Sequence, residues 1–200
     1  LVSYQVQVMS IGFLIDEDSP MIWRGPMVTQ ALEQLLNDTR WKDLDYLVVD
    51  LPPGTGDIQL TLAQKVPVSG AVIVTTPQNI ALLDARKGLK MFEKVEIPVL
   101  GIIENMSTHI CSECGHEEYI FGAGGGKRMA DDYDVEDLGN IPLDSRIRAD
   151  VDAGKPTVMA DPDGAIADIY RRIARRVGGK LAVRKRNYSD VFPSIVIENN

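Results

Sequence analysis

The chain has 200 residues, 44% of them hydrophobic and 25% charged, and a formal net charge of −8. A chain of this length can bury a full hydrophobic core, and this composition is typical of a globular protein. The acidic balance argues against nucleic acid as a main partner, and no apolar run is long enough to span a bilayer. The opening residues LVSYQVQVMS contain no charged segment followed by an apolar stretch. These residues therefore contain no secretory signal, an upstream targeting segment stays open, and we expect a cytoplasmic location.

Short β-rich apolar runs alternate with longer helical patterns along the chain. The sequence predicts strands over residues 6–15, 46–51, 71–76, 99–105 and 135–142. It predicts helices from about Pro26 and over residues 59–66, 80–95 and 123–133. Near-continuous apolar strands are typical of a parallel sheet that is covered on both faces. We therefore predict an α/β fold, a mostly parallel sheet with helices on both faces, formed by residues 1–200 as one domain.

Polar residues follow the predicted strands at their carboxyl ends, where open parallel sheets bind ligands. The run YLVVDLPPGTGD places Asp50 at a strand end, before a Gly-rich turn that ends at Asp57. A carboxylate in this position holds Mg²⁺ in nucleotide hydrolases, often through water. Gly54 would let a backbone N–H approach a terminal phosphate, and Asp57 could orient a water. A simpler interpretation is that Asp50 only ends the strand, but such a turn needs neither a double proline nor a second carboxylate.

A P-loop is expected together with a carboxylate of this kind. Residues 122–127, GAGGGK, are the obvious candidate. However, Phe121 stands where the motif needs its first glycine, and Arg128 stands where it needs Ser or Thr. We therefore expect the P-loop strand to lie upstream of Leu1.

The segment HICSECGH, residues 109–116, contains both cysteines and both histidines of the chain. A C-x-x-C outside a secretory context indicates metal or redox chemistry. A four-thiolate iron–sulfur cluster or zinc site would need two chains, because each chain supplies two cysteines. Two alternatives stay open: thiol–disulfide exchange, and a single-chain metal site made by His109, Cys111, Cys114 and His116. We favour the two-chain metal site, with both histidines solvated.

Several strings along the chain closely resemble one protein family. In order, they are SIGFL, WRGPM, DYLVVDLPPGTGD, TTPQNIALLDARKGLKMF, VLGIIENMS, C-x-x-C-G, YIFG-x-GGG and LGNIPLD. Together they resemble the Mrp/ApbC family of iron–sulfur cluster carrier ATPases, a MinD/ParA-like, deviant-Walker-A branch of the P-loop NTPases. The resemblance covers roughly residues 5–195. The family's GKGGVGKS-type loop, the helix after it and the first switch aspartate are absent and would lie just before residue 1. Because that loop would hold the phosphates and Mg²⁺, the resemblance implies that these 200 residues alone do not hydrolyse ATP.

The resemblance implies a nucleotide site at the rim of the sheet. Asp50 would be the Mg²⁺-linked carboxylate, and Gly54 would belong to the switch that senses the γ-phosphate of ATP. Asn105, Pro142 and Asp144 would contact adenine.

The resemblance also implies a cargo and partners. Cys111 and Cys114 would ligate a [4Fe–4S] cluster in a homodimer, which would pass the cluster to apo iron–sulfur proteins. From the charge and the helix pattern we expect no nucleic-acid or membrane partner. The main alternative is a MinD/ParA-like positioning ATPase with structural zinc at the C-x-x-C; a non-hydrolysing scaffold is a third. The basic, amphipathic pattern over residues 166–186 could lie on a membrane. We expect its apolar stripe to pack on the protein's own sheet instead.

Overall fold

The computed structural model describes residues 1–13, 25–51, 66–111 and 113–183. The chain divides into two compact units. One contains residues 1–73 and 79–99, and the other contains residues 74–78 and the chain from Leu100 onward. The single domain over residues 1–200 stays a prediction.

The helices and strands follow an alternating α/β order. The strands of the described ranges are β1 (Val2–Ser3), β2 (Val6–Gln7), β3 (Ala71–Thr75), β4 (Val99–Glu104), β5 (His109–Ile110), β6 (Glu117–Glu118) and β7 (Asp137–Asn140). The helices are α1 (Gly25–Asn37), α2 (Asn79–Lys94), α3 (Gly125–Asp132), α4 (Ser145–Asp152), α5 (Thr157–Ala160) and α6 (Ala165–Ala182), and Ile11–Phe13 forms a 3₁₀ turn. The predicted helices near Pro26 and over 80–95 and 123–133 are confirmed.

The main sheet has the strand order β3–β4–β7. β4 and β7 run parallel, with Ile103 opposite Gly139 and Glu104 opposite Asn140. β4 is buried from Leu100 to Glu104, as expected for a strand covered on both faces. The predicted α/β class is confirmed, and so are the predicted strands over 71–76, 99–105 and 135–142, with the ends shifted by one or two residues.

The pattern of residues 166–177 is explained by packing within the second unit. Ile166 and Ile173 of α6 are buried. A Cβ on Gly139 of β7 would lie 3.2 Å from Cγ1 of Ile173, so this helix and this strand are in close contact. The opposite side of α6 carries charge, and there Arg172 pairs with Asp168 at 3.2 Å. The apolar stripe therefore packs on the protein's own sheet, as predicted.

One predicted strand is much shorter than expected and another is wrong. Residues 14 and 15 of the first, predicted over 6–15, lie outside the described residues. In the range 6–15, Tyr4 and Gln5 have positive φ angles and turn the chain back, so β2 pairs with β1 for only two residues. Residues 46–51 form no strand, and Tyr46 and Val48 are 62% and 89% exposed. An apolar run becomes a strand only where a neighbour pairs its backbone, and the described residues supply no such neighbour here. The helix predicted over 59–66 lies outside the described residues except for Val66.

In the ranges that the structure covers, no helix is both long and apolar enough to cross a bilayer. The cytoplasmic location stays a prediction.

The end of β4 is tied to the start of α3 by a buried carboxylate. Glu104 is 2% exposed, and its Oε2 accepts the N–H of Gly126 at 2.5 Å. A buried carboxylate is costly unless it is hydrogen-bonded, and the N-terminus of a helix favours negative charge. The hydrogen bond between Gly126 and Glu104 therefore joins the two ends of the intervening loop, residues 105–124.

This contact predicts opposite effects for two helical glycines. A Cβ at Gly126 would lie 2.9 Å from Cβ and 3.2 Å from Oε2 of Glu104, whereas a Cβ at Gly88 in α2 would meet nothing within 4 Å. Gly126→Ala should lower the free energy of unfolding by about 1–3 kcal/mol through overpacking. Gly88→Ala should raise it by about 0.5–1 kcal/mol, since alanine restricts the unfolded chain. Urea denaturation measures both, and equal shifts would contradict the buried contact.

Candidate metal and nucleotide site

The two cysteines lie in a small antiparallel hairpin formed by β5 and β6. His109 is opposite Glu118, and Ile110 is opposite Glu117. The ladder continues where the N–H of Cys111 donates to the carbonyl of His116 at 2.9 Å. The hairpin therefore presents the C-x-x-C at its tip.

A tight turn brings Cys114 back beside Cys111. The N–H of Gly115 donates to the carbonyl oxygen of Cys111 at 2.9 Å. Gly115 has a φ of 70°, a left-handed conformation that glycine adopts without steric cost. The glycine of the C-x-x-C-G string thus closes the turn that pairs the two thiols.

The turn also favours the charged form of one thiol. The pKa of Cys111 is lowered, first by a hydrogen bond from the backbone of Cys114, and then by the backbone of Glu113 and the side chain of Cys114. Cys111 is half-buried and Cys114 is exposed. Since the thiolate is the form that ligates metals and attacks electrophiles, the hairpin suits either use.

Backbone hydrogen bonds join the residues between β4 and β5 to the segment after β7. Ile141 N–H donates to the carbonyl of Glu104 at 2.9 Å, and Ser107 N–H donates to the carbonyl of Ile141 at 3.0 Å. The next bond runs from Leu143 N–H to the carbonyl of Thr108 at 2.7 Å. The parallel pairing of β4 and β7 therefore extends beyond the sheet, up to Thr108, the residue before the hairpin.

Two of the residues predicted to contact adenine, Asn105 and Pro142, lie just after β4 and β7. Asn105 follows β4, its N–H donates to the carbonyl of Thr75 at 2.7 Å, and its Oδ1 accepts the N–H of Met106 at 2.9 Å. Pro142 lies two residues after β7. Because neighbouring parallel strands end at the same edge, the structure brings Asn105 and Pro142 to one rim of the second unit.

Asp144 has a structural role at the start of α4. Its carboxylate accepts the N–H of Arg146 at 2.8 Å as a helix N-cap. The guanidinium of Arg146 also contacts both oxygens, with Nη2–Oδ2 at 2.6 Å. These bonds to Arg146 hold the pKa of Asp144 below its ordinary value, so the carboxylate is ionised at neutral pH. A contact between adenine and this residue stays a prediction.

Of the three residues predicted on the phosphate side of the nucleotide site, the structure describes Asp50. Asp50 is exposed and follows a segment without secondary structure. Gly54 and Asp57 lie outside the described residues.

Sequence reasoning missed the structural contacts of two side chains near the site. Glu104 stands at the end of a predicted strand, and a carboxylate in the apolar run VLGIIEN must find donors if that strand is buried. The expectation that His109 is solvated is wrong: it is half-buried, and its Nδ1 lies 3.1 Å from the carbonyl oxygen of Leu143. His116 is exposed, as expected.

The structure also bears on the single-chain metal site. Among the described residues, no group of three His, Cys, Asp or Glu side chains is arranged to hold a metal ion. The alternative that combines His109, Cys111, Cys114 and His116 is therefore not assembled in this conformation.

Solved structures define the class of protein. A nucleotide-binding protein from Archaeoglobus fulgidus in complex with ADP matches with a TM-score of 0.59 and 30% identity, over 98% of this chain and 66% of that chain. The septum site-determining protein MinD from Pyrococcus horikoshii, complexed with Mg-ADP, matches with a TM-score of 0.56 and 24% identity, over 78% of this chain and 57% of that chain. The fold is that of a MinD-like P-loop NTPase.

Sequence relatives define the family. The model described as "ParA: NUBPL iron-transfer P-loop NTPase" matches residues 1–178. The iron-sulfur cluster carrier protein of Pseudomonas fragi is 63% identical over 90% of this chain and 62% of its own length. The iron-sulfur cluster transfer protein NUBPL of Mus musculus is 50% identical over 90% of this chain and 57% of its own length. The chain belongs to this family of iron-transfer P-loop NTPases, and it spans less than two thirds of either relative.

The turn at Cys111 predicts a pH dependence of thiol modification. Because the pKa of Cys111 is lowered, its thiolate persists to lower pH, and its alkylation rate should fall only below the ordinary cysteine range. Gly115→Ala strains the left-handed position by roughly 1–2 kcal/mol, opens the turn and should move the midpoint upward. Iodoacetamide labelling followed by peptide mass spectrometry measures this midpoint in the metal-free protein.

A matched control uses a second glycine. Gly154 has a φ of 68°, and a Cβ added there, like one added at Gly115, would meet no atom within 4 Å. Gly154→Ala should therefore introduce the same backbone strain without moving the Cys111 midpoint. A midpoint that stays unchanged in Gly115→Ala, or that shifts equally in both variants, would contradict the role of the turn.

Proposed function

We propose that this protein is an ATP-dependent carrier that binds a [4Fe–4S] cluster between two copies of the chain and passes it to apo iron–sulfur proteins. The observation that carries this function is the Cys111–Cys114 turn. It presents two thiols at the tip of a hairpin, with one thiol already biased toward the thiolate by backbone donors. Membership in the iron-transfer family supports iron–sulfur cargo at this turn.

The number of thiolates supports a site shared by two chains. A [4Fe–4S] cluster takes four cysteine ligands, and the chain has two cysteines. A two-fold axis through the cluster would supply four thiolates from two identical hairpins. The exposure of Cys114 at the hairpin tip is compatible with such an approach. The same exposure would let a recipient's thiolates replace those of the carrier one at a time.

Nucleotide chemistry is the second part of the proposed function. The rim that carries Asn105 and Pro142 suits an adenine, since it offers an amide and an apolar ring at the carboxyl ends of parallel strands. Asp50 would hold Mg²⁺, which supplies charge neutralisation at the phosphates. Gly54 and Asp57 would line the phosphate side. ATP hydrolysis would then gate the loading or release of the cluster.

The cargo is tested by anaerobic reconstitution of the native-length protein with ferrous iron and sulfide. We expect about four irons and four labile sulfides per two chains, as Cys₄ ligation requires. The double variant Cys111→Ala/Cys114→Ala should lose both, whereas His116→Ala should retain them. Mixing the loaded protein with an apo [4Fe–4S] recipient should then move iron and sulfide to the recipient. Zinc without labile sulfide would instead support the positioning-ATPase alternative.

The nucleotide part is tested separately by ATP hydrolysis in the same protein. Asp50→Ala should lower turnover roughly 100-fold or more, because a bound metal ion supplies several kcal/mol of transition-state stabilisation. Asp45→Ala removes a similarly exposed carboxylate five residues earlier and serves as the control. Turnover that is unchanged by Asp50→Ala, or equally reduced by Asp45→Ala, would contradict the assignment of Mg²⁺ to Asp50.

A further inference from the structure

The side chain of His109, the first residue of the cysteine hairpin, contacts the segment after β7. Its Nδ1 lies 3.1 Å from the carbonyl oxygen of Leu143, and the side chain is half-buried. A carbonyl oxygen can only accept a hydrogen bond, so Nδ1 must be the donor and carry the proton. This fixes the ring in one orientation, with Nε2 turned away from Leu143.

The described hairpin residues after His109 are mostly exposed and are hydrogen-bonded mainly to one another. Residues 110, 111 and 113–118 make their hydrogen bonds to other described residues only within the hairpin, through the β5–β6 ladder and the Cys111 turn. Ile110 is 59% exposed, and the described residues from 113 to 118 are all exposed. On the β5 side, the hydrogen bonds nearest this tip that reach the rest of the described fold are therefore those that Thr108 and His109 make to Leu143.

The spacing of His109 and Cys111 connects this bond to the thiol. Side chains two positions apart on a strand point to the same face. The ladder continues from His109 to the N–H of Cys111, which donates to His116 at 2.9 Å. A rotation of β5 about its own axis would therefore displace the His109 ring and the Cys111 sulfur together.

We propose that His109 is a positioning residue: its bond to the Leu143 carbonyl holds the Cys111–Cys114 hairpin in one orientation relative to the segment after β7. His109 acts on the thiols through the backbone and does not ligate the cargo. The consequence for cluster retention depends on the proposed function, whereas the orientation of the hairpin can be measured without any cargo.

Three variants of the native-length, metal-free protein separate the possible roles. His109→Phe keeps a planar ring and removes the donor. His109→Asn restores a donor, because the Asn amide nitrogen, like the imidazole Nδ1, is bonded directly to Cγ. His116→Phe makes the same ring substitution at the exposed histidine on the far side of the turn. Circular dichroism and thermal unfolding establish that each variant is folded.

Amide hydrogen exchange at Leu143, whose N–H donates to Thr108 beside His109, is the cargo-independent readout. Losing the neighbouring His109 hydrogen bond should speed this exchange about three- to tenfold in His109→Phe, given the usual net strength of such a bond. His109→Asn should return to within about twofold of wild type, and His116→Phe should match wild type. Unchanged exchange in His109→Phe, or an Asn variant as fast as the Phe variant, would overturn the positioning role.

Cluster retention in a chelator challenge is the second readout. The cluster of His109→Phe should be lost several-fold faster than that of wild type, with an unchanged absorption spectrum, and Asn should restore the wild-type rate. A changed spectrum that Asn does not restore would make His109 a ligand and overturn the inference. A wild-type protein that takes up no iron and sulfide would refute the proposed function, while the exchange data would still decide the role of His109.

Discussion

The structure around the cysteines depends on one set of backbone hydrogen bonds, the parallel pairing that continues from β4 and β7 past the end of the sheet. Residues 104–108 and 141–143 exchange bonds of 2.7–3.0 Å along this extension. A long loop leaving a strand would ordinarily be mobile, because its backbone would be hydrated. Here the first residues of the loop keep sheet-like pairing, so a small hairpin can be presented from a rigid base.

Glu104 closes the other end of the same loop. Its carboxylate is buried at the N-terminus of α3, where Gly126 leaves room for it and donates to it. The chain can therefore make a twenty-residue excursion, residues 105–124, without loosening the sheet from which it starts. The segment that anchors the hairpin also contains Pro142 and leads directly into Asp144. One short stretch after β7 thus supports the thiols and borders the proposed adenine site.

Much of this arrangement could be predicted from the sequence. The buried run VLGIIEN and the helical pattern after Asn79 are strongly periodic, and their elements formed where expected. The strand predicted over 46–51 failed for a physical reason: apolar composition does not supply the neighbour that a strand needs. The two-residue β5 and β6 are set by turn geometry at Gly115, which no periodic pattern reveals. The roles of Glu104 and His109 depend on partners 22 and 34 residues away, so only the fold could show them.

The shared cluster is the central claim, and native mass spectrometry tests it most directly. Wild-type protein and a heavy-isotope-labelled copy would be mixed, reconstituted anaerobically with iron and sulfide, and weighed intact. The two-cysteine hairpin predicts about one [4Fe–4S] cluster per pair of chains, including mixed light–heavy pairs. A cluster or metal ion that stays with a single chain, or pairs of chains that hold zinc and no sulfide, would contradict a [4Fe–4S] cluster held between two chains.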